Sequence, residues 1–132
     1  MKRDMDLIRE LLLRIEAGED SFKPQPRETS RPETREEAWA ALEEAEEKLR
    51  EHLKLLQERG LIEAVHYLDG EVLVDRLTWE GHDFLESVRD PEIWRKTKSG
   101  VQRVGNASIE FVWEIAKAYG KHVVKEKLGL DI

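Results

Sequence analysis

Lys48, Arg50, Lys54 and Arg59 stand within one run of twelve residues, and Arg76 follows a little further on. Cations grouped this way can grip the phosphates of a duplex, because each phosphate neutralised by Lys or Arg releases condensed counterions. These five are the candidate DNA contacts. The same stretch also carries the opposite sign: between Glu36 and Arg59 there are eight acids and four bases. On a helical wheel with Leu49 and Leu56 turned to a core, the far side holds Glu36, Glu37, Glu43, Glu44, Glu47, Glu51 and Glu58, with Lys54 alone among them. That face repels phosphate. Its structural reading is a solvated helix side on which Glu44 with Lys48 and Glu46 with Arg50 form i to i+4 pairs worth ~0.2–0.5 kcal/mol each.

Other chemistries find less to work with. His52, His66, His82 and His122 are far apart and show no metal-ligand spacing. The absence of cysteine excludes a thiolate site, a disulfide scaffold and cysteine catalysis. There is no glycine-rich phosphate loop after a strand and no Gly-x-Ser-x-Gly elbow. No catalytic, metal-binding or cofactor-binding residue is therefore assigned, and the expectation is a protein that is not an enzyme and needs no cofactor. No apolar run approaches the ~18 residues that span a bilayer, so no membrane partner and a cytoplasmic location are expected.

The net charge of -7 is unevenly spread. Residues 1–90 hold 24 acids and 14 bases, whereas residues 91–132 hold five acids and eight bases. In the latter, Lys117, Lys121 and Lys125 form an i to i+4 stripe, with Glu110 and Glu114 ahead of it as a helix macrodipole favours. Arg27, Arg31 and Arg35 make a third basic string, in a proline-rich segment.

The elements that position these residues follow from periodicity. Leu7, Ile8, Leu11, Leu12 and Ile15 recur at three and four, predicting a first helix that Gly18 ends. Residues 18–33, with Pro24, Pro26 and Pro32 and with Phe22 as the one large apolar side chain, predict a loop. Thr34 with Glu37 is a capping box. It opens a helix of ~37 Å whose core stripe is Trp39, Leu42, Ala45, Leu49, Leu53 and Leu56, closed by Gly60. Two β-rich runs flank Asp69-Gly70, a hairpin signal. A two-residue turn there sets Tyr67 opposite Val72, Val65 opposite Val74 and Glu63 opposite Arg76. Thr78 caps a helix through Phe84, Leu85 and Val88, and Asp90-Pro91 opens another with Ile93, Trp94 and Val101. After a break at Gly105-Asn106, a last helix from about Ala107 to Leu128 carries Ile109, Val112, Trp113, Ala116, Tyr119, Val123 and Val124 on one side.

The fold class expected is α+β, mainly α: a winged-helix-like domain (helix, loop, long helix, two-stranded β-hairpin wing) with a C-terminal helical extension. Its 132 residues fit one domain, with residues 1–90 as the winged-helix-like core and residues 91–132 as the extension. Folds of this kind place the helix before the wing in a DNA groove in many regulators. Phe111 and Ile115 lie outside the last helix's stripe and widen its apolar arc. Ile109, Phe111, Trp113, Ile115 and Tyr119 are accordingly the candidate interface of a homodimer. For the four tryptophans, Trp39, Trp79, Trp94 and Trp113, the alternative is core packing.

The opening Met1-Lys2-Arg3-Asp4-Met5-Asp6-Leu7-Ile8-Arg9, the run His52-Leu53-Lys54-Leu55-Leu56 leading to Gly60-Leu61-Ile62, and the run from Arg76 to Leu85 resemble an uncharacterised bacterial and prophage-associated domain family of winged-helix-like architecture. Arg89-Asp90, Trp94 and Leu128-Gly129-Leu130 also resemble its pattern, while residues 18–48 depart from it. The resemblance implies a phage or prophage gene context and a winged-helix fold, and no activity, cofactor or catalytic residue. The functional expectation is a regulator that binds double-stranded DNA. The alternative is a protein-interaction or dimerisation module that binds none.

Overall fold

The computed structural model describes residues 3–22, 34–105 and 108–129. The chain is α+β and mainly α, in the order α1 (Met5–Glu16), β1 (Ser21–Phe22), α2 (Arg35–Glu58), β2 (Ile62–His66), β3 (Val72–Leu77), α3 (Trp79–Val88), α4 (Pro91–Val104) and α5 (Ile109–Leu128). It forms two compact units, Met1–Gly81 and His82–Ile132. The divide falls inside α3. The prolines of the expected 18–33 loop, with Arg27 and Arg31, lie outside the described residues, as do Asn106 and Ala107.

In the first unit, α1 starts at Asp4, whose side chain accepts the Leu7 N–H at 3.1 Å. The helix buries Ile8, Leu11, Leu12 and Ile15, as its spacing predicts. The expected two-stranded wing is corrected to a three-stranded antiparallel sheet of order β1-β3-β2, compatible with a winged-helix-like arrangement. Phe22 is the reason. As the one large apolar residue in a polar segment it is drawn into the core, and the backbone beside it pairs on the open edge of β3, Ser21 opposite Leu73 and Phe22 opposite Val72. Arg14 holds the approach, gripping Glu19 with two hydrogen bonds of 2.7 and 2.5 Å and lying 5.0 Å over the Phe22 ring.

The Thr34 hydroxyl accepts the Glu37 N–H at 3.1 Å, so α2 begins at the predicted cap. Its core stripe is shorter than predicted. Leu49, Leu53 and Leu56 are buried, but Trp39 is 61% exposed, Ala45 is exposed and Leu42 half-buried, so packing begins only at Leu49. His52 is fully buried and hydrogen-bonded through both nitrogens: Nδ1 donates to the Lys48 carbonyl at 2.7 Å and Nε2 accepts the Asp4 N–H at 2.8 Å. Lys48 Nζ reaches Asp4 Oδ2 at 2.8 Å. One residue, Asp4, thus caps α1 and ties it to α2.

The hairpin register is also corrected. Leu68, Asp69 and Gly70 form a three-residue loop, closed by Gly70 N–H to the Tyr67 carbonyl (3.1 Å) and Tyr67 N–H to the Glu71 carbonyl (2.9 Å), with Gly70 at φ 90°. Three-residue loops of this kind match the strand twist by placing glycine in the left-handed region. His66 therefore faces Val72, Val65 faces Leu73 and Ala64 faces Val74. A bulge between Glu63 and Ala64, where Asp75 is the extra residue on β3, restores the expected Glu63–Arg76 pair. Because side chains alternate with period two, the bulge flips the phase. It turns Arg76 to solvent and Leu77 inward, alongside Val72 and Val74.

The second unit carries α4 and α5. Asp90 accepts the Glu92 and Ile93 N–H groups at 2.9 and 3.0 Å with Pro91 next, as predicted. Ser108 caps α5 through the Phe111 N–H. Trp94, Thr97, Ile109, Val112 and Ala116 are buried, as are Phe84, Leu85 and Val88 of α3. Trp113 meets Phe84 edge-on at 5.5 Å, and its indole N–H donates to Ser87 Oγ at 3.1 Å.

Two predictions follow from packing and from ionisation. A Cβ on Gly81 would fall inside the contact radius of the Leu61 carbonyl oxygen, a backbone atom, whereas one on Gly100 would meet Ile115 Cγ2 at 3.4 Å. Gly81→Ala is expected to destabilise by about 3 kcal/mol, and Gly100→Ala to be neutral or stabilising by up to ~1 kcal/mol, read from urea midpoints. The hydrogen bond from Lys48 holds the Asp4 carboxyl below its usual range, and the Arg14 fork does the same for Glu19. Below about pH 4.5 the unfolded chain therefore binds more protons than the folded one, and stability falls as pH falls. In unfolding curves from pH 6 to pH 3, Lys48→Ala and Arg14→Ala should each flatten this loss.

Candidate functional site

Each of the five candidate DNA contacts has a carboxylate partner within the first unit. Lys48 Nζ lies 2.8 Å from Asp4, Arg50 Nη1 3.8 Å from Glu46, Lys54 Nζ 3.8 Å from Glu51 and Arg59 Nη1 3.3 Å from Glu80. Arg76 makes a two-pronged contact with Glu63, Nε to Oε2 at 3.1 Å and Nη2 to Oε1 at 2.8 Å. The cross-strand register places that pair, and the cap at Asp4 places the first.

The fold brings only two of the five to one place. Arg50 and Lys54 line a groove of about 400 Å³ between α2 and the hairpin loop, together with His66, Tyr67, Asp69 and Glu71. A second groove of about 220 Å³, which Arg50 also lines, adds Glu46 and Leu49. Arg50 arches over Gly70, its Nη1 2.8 Å from where a Cβ would stand. Two cations are balanced there by Glu46, Asp69 and Glu71, so the grooves present no concentrated positive field. Lys48 belongs to the α1 junction, Arg59 to the end of α2 and Arg76 to the sheet.

His66 lies at the same groove as a structural group. Its Nε2–H donates to Gln57 Oε1 at 2.8 Å, while Gln57 Nε2 donates to the Ala64 carbonyl at 3.0 Å. Its Nδ1 is buried without a hydrogen-bond partner among the described residues. Burial, and then the positive charge of Lys54, push the imidazole below its usual value. Among the described residues no group of three His, Asp or Glu is placed to hold a metal ion. No helix there is long and apolar enough to cross a membrane.

The candidate interface residues are largely engaged inside the second unit. Ile109 is 3% exposed and belongs to the core, so it is removed from any surface. Trp113 holds Phe84 and Ser87 and carries Lys117 5.0 Å over its ring. Ile115 and Tyr119 lie over Gly100 of α4, where an added Cβ would meet both at ordinary contact distance. Phe111 is half-buried.

The exposed apolar side chains lie elsewhere. Trp39 stands on the part of α2 that precedes the core, and Trp79 opens α3 at 82% exposure. Val65 and Leu73 form a cross-strand pair on the outer face of the sheet, and Leu68 is fully exposed in the hairpin loop. A signal for the last was present: a leucine beside Asp69-Gly70 occupies a loop position where polar residues are usual.

The family model described as Hypothetical protein (DUF2513) matches residues 2–107 of this chain. An uncharacterized protein of Haemophilus influenzae is 29% identical over 132 residues, spanning 98% of this chain and 100% of that protein. No solved structure matches. With a match that runs from α1 through α4, the chain belongs to the family of hypothetical proteins DUF2513.

Proposed function

We propose that this protein is a non-enzymatic protein-interaction module, built on a winged-helix-like unit, that acts in the cytoplasm in a phage or prophage context and does not use duplex DNA as its partner. One observation carries the reading: all five cations that the sequence offers as backbone contacts are already paired with acids. Exposed pairs of this kind are individually weak, about 0–1 kcal/mol, so a phosphate could displace one. The displaced carboxylate would nevertheless remain beside the phosphate and repel it. Little counterion release is then left to drive binding. Trp39, Trp79 and Leu68 supply what a protein partner needs instead, large apolar side chains that the fold leaves in solvent.

The duplex reading, with Lys48, Arg50, Lys54, Arg59 and Arg76 as contacts, rests on the winged-helix-like sheet and makes the opposite forecast. Fluorescence anisotropy with a labelled duplex at roughly 50 mM salt is expected to show no binding. Binding whose salt slope drops in Lys54→Glu/Arg59→Glu would establish the DNA reading and overturn ours. In parallel, Trp39→Ser and Trp79→Ser should change stability by less than about 0.5 kcal/mol. The same variants should lose a host polypeptide that the wild-type chain retains on a column.

A further inference from the structure

The N-terminal half of α2 and the C-terminal half of α5 have matching lengths and opposite borders. Residues 35–47 carry Glu36, Glu37, Glu43, Glu44, Glu46 and Glu47 against Arg35 alone. Through them run Trp39, 61% exposed, and Leu42 one turn on. At 100° per residue, Glu36, Glu43 and Glu47 flank Trp39 on one side. Among the described residues Glu43, Glu44 and Glu47 form no ion pair. Residues 117–128 carry Lys117, Lys121, Lys125 and Lys127 against Glu126 alone. There Val124 and Leu128, 39% and 66% exposed, lie one turn apart beside the stripe of Lys117, Lys121 and Lys125. Each segment is ~18–20 Å long.

Resting on the interaction reading above, we infer that one partner is a second copy of this chain, with the glutamate-bordered stripe of α2 in one copy lying against the lysine-bordered stripe of α5 in the other. Like-with-like pairing is excluded by charge. Two α2 segments would bring six acids against six, and two α5 segments four lysines against four. Such juxtapositions are strongly unfavourable across an interface, whereas opposite borders steer association and fix register. The apolar pairs Trp39–Leu42 and Val124–Leu128 supply the area that charge alone does not. Each copy carries one stripe of each sign, so a pair of copies offers two such contacts.

The test is sedimentation equilibrium at about 100 µM chain, a concentration that populates a dimer of micromolar Kd. The wild type should approach twice the monomer mass at low salt and return toward the monomer at roughly 0.5 M salt, where screening is short-ranged. Glu43→Lys/Glu47→Lys and Lys121→Glu/Lys125→Glu reverse one border each. All four positions are exposed, so thermal melting should confirm that both variants stay folded. Each alone should associate at least about tenfold more weakly, and their equimolar mixture should regain the dimer, because reversed α2 then meets reversed α5. A monomeric wild type, a mixture that stays monomeric, or a dimer indifferent to both reversals overturns the pairing. Loss of the pairing with capture of a host polypeptide intact leaves the interaction reading standing. Duplex binding by the dimer would overturn that reading and leave the pairing.

Discussion

β3 carries hydrogen bonds on both edges, to β1 on one side and β2 on the other, and the first unit is arranged around the need to keep it so. A strand paired on both sides leaves no unsatisfied backbone, but its side chains must obey a strict alternation. Val72 and Val74 obey it; the next inward position would be Arg76. The bulge at Asp75 resolves the conflict with one unpaired residue, so that Leu77 goes in and the guanidinium goes out to Glu63. What lies at the end of β3 depends on that phase. Thr78 follows directly, bonds the Gly60 carbonyl through its hydroxyl, and accepts the Gly81 N–H that starts α3.

Helix content was the most legible part of the sequence. Thr34, Asp90 and the Gly60 and Gly105 stops acted where their chemistry predicts, because caps are local and do not depend on tertiary context. β1 was illegible for the converse reason. Two residues show no alternation, and Ser21-Phe22 becomes a strand only because β3 offers a free edge and the core takes Phe22. The hairpin was legible in place but not in register. Asp69-Gly70 marks a turn, yet whether the loop holds two residues or three is decided by which residue takes the left-handed conformation, and Gly70 alone does so.

The candidate site was legible as a set of residue types and not as a set of contacts. Wheel arithmetic gave the glutamate face of α2, which is exposed as expected except at half-buried Glu51. It could not give Asp4 for Lys48, Glu80 for Arg59 or the fork on Arg76, since these partners come from the cap of α1, from α3 and from β2. Charge balance at a surface is a tertiary property. A cation's meaning changes with one carboxylate at 3 Å, and that distance is written only in the fold.

The stripe along α2 shows the limit of periodicity most clearly. Trp39, Leu42, Ala45 and Leu49 keep the helical interval without a break, yet burial begins at Leu49. Periodicity reports which face is apolar, not whether anything lies beneath it. What keeps residues 35–47 helical without that packing is composition: four alanines and six glutamates, residues of high intrinsic helix propensity, with a hydroxyl cap in front. A self-supporting helix can hold a tryptophan in solvent without its own fold depending on that side chain. Trp39 stands 61% exposed with Glu36 and Glu43 one turn to either side of it, open to approach by another helix. The segment that looked in sequence like the start of the core is therefore better understood as the part of the fold released from it.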